Sequence, residues 1–522
     1  MDKLKILKYV LWGIILIMLG SIITKCADRR RGHYLVADQH NWDKVSLVLQ
    51  QIERNYVDEI DYDAISEKII PEILKELDPH SVYLPPEELK EADEDLQGNF
   101  DGIGITFNVP ADTAIVISVI TGGPSEKAGL IPGDRIVSID GKVVAGVKFP
   151  QDSMIRLLRG TSGTKVNVEI RRDGERVDFE IIRGKIPVKS VDVAYMMDDT
   201  TGYIKLSKFS RSSYVEFLKA MIKLRAEGIK KLVFDLRDNP GGYMDQALYL
   251  ANEFLGKGDL IVYMQGLHRA RQNFTADGNG LSQDIELVVL INENSASSSE
   301  IFAGAVQDND RGTIVGRRSY GKGLVQEPIY FSDKSGIRLT VAKYYTPTGR
   351  NIQKPYEKGE YMDDIVERYM HGEMMDEDSI PKNDSLRFVT PGGKVVYGGG
   401  GIIPDIFVPV DTVGVTDFLV RINRQSSQVK YSIEVADRYR KDLQKVTSLD
   451  ELNHLLDSMD LESGFRKYLK KAGVPINEAQ WKISEDIFMT QIRAMVGRYS
   501  KLEDEAFYPI IADIDNVIQR VK

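Results

Sequence analysis

The sequence predicts a multidomain α/β protein. Its 522 residues are enough for three or four domains, and 42% hydrophobic with 28% charged residues is an ordinary globular composition. Two apolar runs of strand length, one beginning at Lys231 and one at Glu286–Ile291, each lead through a turn into a helical pattern. Strands followed by helices in this way are typical of an α/β core.

Composition excludes two classes of protein. The formal net charge of −10 provides no basic surface for nucleic acid, so no nucleic-acid partner is expected. Cys26 is the single cysteine of the chain, which excludes an internal disulfide framework.

The N-terminus predicts a membrane segment. Lys3, Lys5 and Lys8 precede an apolar run of 16 residues, Tyr9 to Thr24. This run is either the core of a signal peptide or a single uncleaved anchor, and we favour the anchor because no small-x-small cleavage pattern follows it. Basic residues on both sides leave its orientation open. We therefore expect a signal anchor or transmembrane helix over residues 1–25.

The rest of the chain divides by pattern into four parts and two polar excursions. A leucine-rich stripe near the C-terminus, from Leu452 to Leu461, is typical of core packing, although in an appended domain it could instead be a dimer surface of a homo-oligomer. The parts are a mainly helical region at 37–97, a small module at 98–183, an α/β core at 184–410 and a helical domain at 411–522, with excursions at 266–284 and 353–387.

Ser297 lies at a predicted strand-to-helix turn. The first N–H groups of a helix are unpaired, so the amide of the next residue, Ser298, could bind an oxyanion formed by attack of the Ser297 hydroxyl. The competing interpretation is structural, because Ser297 and Glu300 have the spacing of a capping box. The pattern alone leaves both interpretations open.

Lys322 is the candidate base for that serine. A hydroxyl needs a proton acceptor, and none of the six histidines is close in sequence. Gln326 follows Lys322 by four residues, a spacing that places both side chains on one face of a strand or a helix. A neutral lysine requires its pKa to fall by about 3 units. The alternative is an ordinary solvated lysine in a glycine-rich turn.

A glycine turn provides the second candidate oxyanion donor. The strand that begins at Lys231 runs into Asn239-Pro-Gly-Gly242, where backbone amides are free of side-chain obstruction. Gly242 is preferred as the donor and Gly241 is the alternative. A plain strand-to-helix turn would have the same pattern.

Together these segments resemble the carboxyl-terminal processing peptidases, or tail-specific proteases, which use a serine/lysine dyad. The resemblance extends over nearly the whole chain, and the family places the serine 25 residues before the lysine, which selects Ser297 among three adjacent serines. It implies Ser297 as nucleophile, Lys322 as base and Gln326 as the residue that orients the lysine. The matching segments are 55–59, 77–84, 100–105, 235–242, 316–323, 344–350 and 401–405.

Residues 98–183 resemble a PDZ domain. Gly102, Ile103, Gly104 and Ile105 open a strand as a carboxylate-binding loop would, and 123–141 fits the remaining helix, turn and strand of that module. The resemblance therefore implies recognition of protein substrates with apolar C-terminal tails. It also implies a crotonase/ClpP-like α/β serine peptidase core that needs no cofactor and no metal.

The function expected from the sequence is that of a membrane-anchored serine endopeptidase. By resemblance its catalytic part is extracytoplasmic, in the periplasm, beyond a single-pass inner-membrane anchor. A Ser-His-Asp enzyme or a zinc protease is disfavoured because the chain has neither Gly-x-Ser-x-Gly nor His-Glu-x-x-His. A non-enzymatic PDZ adaptor is disfavoured because the serine, lysine and glutamine are all retained.

Overall fold

The structure is a computed structural model that describes residues 42–109, 112–356, 361 and 363–522. The membrane segment predicted at 1–25 lies outside the described residues. Among the residues that are described, no helix is both long and apolar enough to cross a membrane.

Helices and strands are numbered in chain order. The helices α1 to α17 are Trp42–Asn55, Tyr62–Lys75, Pro86–Gln97, Pro124–Ala128, Gln151–Leu158, Ser213–Ala226, Met244–Asn252, Ser298–Asp308, Asp364–Met370, Asp417–Arg424, Ser427–Arg438, Arg440–Leu443, Leu449–Ser458, Leu461–Lys471, Glu478–Arg498, Asp504–Ile511 and Asn516–Val521. The strands β1 to β21 are Val82–Leu84, Asn99–Gly102, Ile105–Asn108, Ala114–Val119, Arg135–Ile139, Lys142–Val143, Lys165–Arg172, Glu175–Ile182, Gly184–Pro187, Val191–Met196, Thr201–Leu206, Lys231–Asp235, Leu260–Gly266, Arg269–Thr275, Glu286–Ile291, Thr313–Gly316, Leu324–Tyr330, Gly336–Tyr345, Arg387–Val389, Val395–Tyr397 and Ile406–Phe407.

The chain forms two compact units, which meet in sequence between Ile70 and Pro71 within α2. The described part of the first unit holds α1 and the beginning of α2. The second unit holds all the remaining elements. As predicted, the described part of 37–97 is mainly helical, with the short strand β1 as the exception.

A six-stranded antiparallel sheet with two helices forms the small module. Its strands follow the order β3-β4-β5-β7-β8, and β6 pairs with β5. On β7 the buried residues Val166, Val168 and Ile170 alternate with more exposed ones, as expected when one face of a sheet covers a core. Because β3 ends the order, the strand next to the predicted carboxylate-binding loop has an open edge.

The larger sheet of the core carries the strands that lead to the predicted serine. Its order is β10-β11-β12-β15-β16-β21, and all strands except β10 are parallel. Successive residues of β15 face opposite cores: Leu287 packs with the phenylalanines of α6 and α8, while Val288 packs with Val517 of α17. Burial on both faces explains why the sequence of β15 is continuously apolar after Glu286.

A second, antiparallel sheet carries the segment that contains the predicted lysine. Its strands follow the order β1-β18-β13-β14, and β17 pairs with β18. Lys322 lies two residues before β17, and Gln326 lies on β17 next to a bulge. The excursion at 266–284 begins at the tip of the β13–β14 hairpin.

The C-terminal domain is helical, as predicted, and contacts the small module. The leucine-rich stripe is part of the core of this domain, with Leu452 and Leu456 fully buried. Arg135 of the small module pairs with Asp437 at 2.8 Å. Arg440 donates to the carbonyl oxygen of Pro132 at 3.0 Å.

Candidate active site

Two parallel strands position the loops of the site. Because β12 and β15 are neighbours in register, the loops that leave their carboxyl ends meet at one edge of the sheet. Asn239 joins these loops: its carbonyl oxygen accepts the N–H of Ala296 at 3.0 Å and the hydroxyl of Ser299 at 2.9 Å. The glycine turn and the serine turn are therefore held side by side.

Ser297 occupies a sharp turn immediately before α8. Its backbone has φ 55° and ψ −112°, a conformation that residues other than glycine rarely adopt and that costs on the order of 1–3 kcal/mol. Gly241 makes the turn possible, since a Cβ at position 241 would lie 2.8 Å from the Cβ of Ser297. The side chain of Ser297 is half-buried at the wall of a cleft.

The neighbouring serines have other partners. Ser298 donates its hydroxyl to the carbonyl oxygen of Gly242 at 2.9 Å, and Ser299 donates to that of Asn239 at the same distance. Ser295 donates to the carbonyl oxygen of Leu236 at 2.8 Å. These three side chains serve to hold the loops together.

Lys322 and Gln326 are in direct contact, as their spacing predicts. The Nζ of Lys322 donates to the Oε1 of Gln326 at 2.9 Å. The amide nitrogen of Gln326 in turn donates to the carbonyl oxygen of His80. Asp78 fixes this segment, because its carboxylate accepts the N–H groups of His80 and Ser81, each at 2.8 Å.

The buried carboxylate of Glu300 joins the turn at Ser297 to the segment 319–322, which contains Lys322. The Oε2 atom of Glu300 accepts the N–H of Ser297 and the N–H of Lys322, both at 2.9 Å. Its Oε1 atom accepts the N–H of Gly321 at 2.7 Å and the hydroxyl of Ser319 at 2.5 Å. The carboxylate half of the capping box is thus present, and it also holds the backbone of Lys322. Burial raises the pKa of Glu300, and these four donors oppose that rise.

Tyr344 makes a second link between the two segments. Its buried hydroxyl donates to the carbonyl oxygen of Lys322 at 2.6 Å and lies 3.2 Å from that of Ser297. Glu300 and Tyr344 therefore each bind main-chain groups of both Ser297 and Lys322, which holds the two residues close together.

The environment of Lys322 disfavours its charged form. Burial lowers the pKa of Lys322 below its usual 10.5, and the guanidinium of Arg338 lowers it further. The carboxylates of Glu300 and Asp78 act in the opposite direction. The net shift is downward, which is the direction that a lysine acting as a base requires.

Two backbone amides face the same cleft without an acceptor. Neither the N–H of Gly242 nor that of Ser298 donates to any residue that the structure describes. The N–H of Gly241, the alternative donor, is engaged with the Oδ1 of Asn239 at 2.9 Å. Of the two glycines, Gly242 is therefore the one available to bind an oxygen.

The cleft has a volume of about 1060 Å³ and is lined by residues of both sheets. Ser297, Ser298, Gly242, Lys322 and Gln326 all lie on its wall. The structure thus brings together the five residues predicted for catalysis. Gly102, Ile103, Gly104 and Ile105 lie in the small module and are not among its lining residues.

The excursion at 353–387 fixes the loop that leads to Lys322. Glu373 accepts from Arg318 at 2.5 Å and from Arg368 at 2.9 Å, and all three side chains are buried. Arg368 also donates to the carbonyl oxygen of Ser319 at 3.1 Å. The excursion therefore fixes Arg318 and Ser319, which precede Lys322 in the chain.

Several residues of the site were not identified from the sequence. The sequence pattern predicts Glu300 only as a helix cap, and its bonds to residues 319–322 carry no sequence signal. His80 contributes a carbonyl group, which any residue could supply. In the described ranges, no group of three or more His, Cys, Asp or Glu residues could hold a metal ion.

Comparison with known proteins agrees with this architecture. Residues 200–360 match the model of peptidase family S41, residues 102–182 match a PDZ domain, and residues 418–500 match a family of unknown function. A probable CtpA-like serine protease of Staphylococcus haemolyticus is 33% identical over 359 residues, which cover 67% of this chain and 72% of the relative. Its counterpart in Staphylococcus aureus is 31% identical over 437 residues, 81% of this chain and 83% of the relative. Among solved structures, a photosystem II D1 C-terminal processing protease is 26% identical, with a TM-score of 0.38, covering 73% of this chain and 91% of that one.

The core, the PDZ domain and these relatives define a serine protease of the C-terminal processing type. The chain belongs to peptidase family S41. The family resemblance inferred from the sequence is thereby confirmed.

Replacing Glu300 by Gln should lower both the free energy of unfolding and the rate of catalysis. One oxygen becomes an NH₂ group, so two of the four donors lose their acceptor, at about 1–3 kcal/mol for each unsatisfied group. Urea denaturation measures the first effect, and single-turnover cleavage of a peptide measures the second.

Glu327→Gln is the matched control. Glu327 pairs with Arg269 at 2.5 Å, but both side chains are more than 40% exposed, so its loss should cost less than about 1 kcal/mol. If Glu300→Gln behaved like this control, the carboxylate would not hold the site together.

Proposed function

We propose that the chain cleaves protein substrates by acyl-enzyme chemistry, with Ser297 as nucleophile and Lys322 as general base. The observation that carries this proposal is the contact of the Lys322 amine with Gln326 in the cleft that Ser297 lines. The geometry favours Ser297 over its neighbours because the hydroxyls of Ser295, Ser298 and Ser299 donate to backbone carbonyls.

The reaction proceeds in two stages. Neutral Lys322 accepts the proton of Ser297 as the serine oxygen attacks the peptide carbonyl, and the N–H groups of Gly242 and Ser298 bind the resulting oxyanion. The C–N bond then breaks as the lysine ammonium gives its proton to the leaving amine. Water attacks the ester that remains, losing a proton to Lys322, and the proton returns to Ser297. Gln326 orients the lysine through both stages.

The PDZ domain binds the C-terminal end of the substrate. The carbonyl oxygens of Ile103 and Gly104 accept the N–H groups of Ser125 and Ile120, both at 3.0 Å. The N–H groups of Ile103 and Gly104 donate to no acceptor among the described residues, which leaves them available for a terminal carboxylate. The open edge of β3 continues from this loop and would pair with the extended tail.

The N-terminal segment anchors the chain in the inner membrane as a single span, with the catalytic part on the periplasmic side. The apolar run from Tyr9 to Thr24 supports this proposal. The intact chain should resist extraction from membranes by alkaline carbonate, whereas deletion of residues 1–25 should release an active protein. Carbonate extraction of the intact chain would contradict the anchor.

Ser297→Ala should abolish turnover and leave the fold intact, because the substitution removes the attacking oxygen at a half-buried position. Lys322→Arg should abolish turnover too, because a guanidinium stays protonated and cannot act as a base. The rates of purified variants on one peptide, measured together with thermal unfolding, check both expectations.

The adjacent serines serve as controls. Ser298→Ala and Ser299→Ala remove a hydroxyl that donates to a backbone carbonyl and should keep measurable activity. If one of these variants were inactive and Ser297→Ala active, the nucleophile would be a different serine.

Activity should rise with pH through the neutral range. Only the neutral amine of Lys322 can accept a proton, and its lowered pKa places the end of this rise below pH 10.5. His80 does not contribute, because burial and the neighbouring Lys322 lower its pKa to about 4, so it is already neutral. The measurement is kcat/KM against pH with chemistry shown to be rate-limiting. A rate that is constant from about pH 6 to 9 would contradict a rise that follows the deprotonation of Lys322.

A substrate with a free apolar C-terminus should be cleaved faster than the same chain amidated. Amidation removes the charge that the loop amides bind, and loss of such a bond costs about 1.5–3 kcal/mol, or roughly 10- to 150-fold in affinity. The effect should be in KM if docking only delivers the substrate, and also in kcat if docking rearranges the site.

Two glycine variants test whether the loop is responsible. At Gly104, with φ +75°, an added Cβ would lie 3.0 Å from the Cδ1 of Ile186, so Gly104→Ala should reduce the preference for the free acid. Gly122 has nearly the same φ, +74°, but open space around it, so Gly122→Ala should keep the preference. Equal cleavage of free and amidated peptides by the intact enzyme would refute tail recognition.

A further inference from the structure

Arg338 is a cation of the catalytic cleft that lowers the pKa of Lys322 but has no part in the proton transfer or in binding the oxyanion. It lies on β18, opposite Val82 of β1 and Pro328 of β17. Its side chain lines the cleft together with Ser297 and Lys322. The Nη2 atom of its guanidinium is buried and has no hydrogen-bond partner among the described residues.

Two other cations of the same cleft have carboxylate partners. Lys208 pairs with Asp95 at 2.5 Å, and Arg211 pairs with Asp245 at 2.6 Å. None of the ion pairs within the described ranges includes Arg338. A guanidinium group is always charged and has five N–H donors, and Arg338 is half-buried, so leaving its buried Nη2 atom without an acceptor is unfavourable unless a ligand supplies one.

We propose that Arg338 determines specificity by binding an aspartate or glutamate side chain of the substrate close to the scissile bond. The inference rests on the proposed function, because it takes the cleft around Ser297 as the place where the substrate chain lies. A backbone carbonyl would satisfy one donor, but a carboxylate satisfies two donors and also balances the charge. The enzyme would then recognise the substrate at two places, at its C-terminus and next to the scissile bond.

The test must separate this role from the effect of Arg338 on the base. Because the guanidinium also lowers the pKa of Lys322, its removal changes the rate on every peptide. That change is the same for two peptides that differ by one side chain. The ratio of their kcat/KM values therefore reports the contact with that side chain alone.

The experiment uses the full-length protein and pairs of peptides that share a free apolar C-terminus. The two peptides of a pair are identical except at one position, where one has Glu and the other has the near-isostere Gln. Successive pairs place this position at each of about three residues on either side of the cleaved bond. We expect one position at which Glu is preferred by about 10- to 150-fold, the range of a charge-assisted hydrogen bond. Arg338→Gln should reduce this ratio to about one, and Arg338→Glu should favour Lys at the same position.

Lys189→Gln is the matched control. Lys189 also lines the cleft, but it is exposed, so removing its charge should leave the Glu/Gln ratio unchanged. Circular dichroism and thermal unfolding establish that each variant is folded. The charge-reversed variant Arg338→Glu gives a gain of preference, which a damaged fold cannot produce.

The outcomes separate this inference from the proposed function. Cleavage without a charge preference at any position overturns the inference and leaves the dyad intact. A Glu/Gln ratio that stays unchanged in Arg338→Gln overturns it too, since Arg338 then acts on both peptides alike, through the pKa of Lys322 or through the peptide backbone. If no peptide is cleaved, the proposed function fails. The role of Arg338 is then decided by binding. The affinities of the paired peptides are measured for the Ser297→Ala protein and for the same protein that also carries Arg338→Gln, and a Glu preference that only the first protein shows means that Arg338 binds the carboxylate.

Discussion

The cleft that Ser297 and Lys322 line depends on one buried carboxylate. Glu300 belongs to the helix that begins immediately after Ser297, and its two oxygens accept four hydrogen bonds from the serine turn and from the segment 319–322. A charge in the interior is costly unless its acceptor sites are occupied, and here every donor comes from a segment whose position the site requires. The helix that begins after Ser297 therefore also sets the position of Lys322.

The site is divided between two sheets with different roles. The mainly parallel sheet supplies Ser297 and the two free amides from loops at the carboxyl ends of β12 and β15. The antiparallel sheet supplies Gln326 from β17 and Arg338 from β18, with Lys322 just before β17. Neither sheet holds a complete site, so the cleft exists only where the two sheets pack against each other.

Features of the site with local determinants could be predicted from the sequence. The turn at Ser297 follows from an apolar strand and a helical pattern, and the contact of Lys322 with Gln326 follows from a spacing of four residues, although a bulge precedes Gln326. Contacts between distant positions could not be predicted in this way. The bond from Gln326 to the carbonyl of His80 joins positions 246 residues apart, and the lack of a partner for the Nη2 atom of Arg338 depends on where every carboxylate of the described residues lies.

The contact between Arg440 and the small module has a consequence for how the two domains can change in evolution. A Cβ added at Gly133, where φ is +94°, would lie 1.2 Å from the Nη1 atom of Arg440, which itself donates to the carbonyl of Pro132. The turn at Gly133 is thus shaped by the C-terminal domain as well as by its own backbone. A PDZ domain transplanted from another protein would have to bring glycine to this position. A substitution at Gly133 or at Arg440 therefore has a consequence for the other domain.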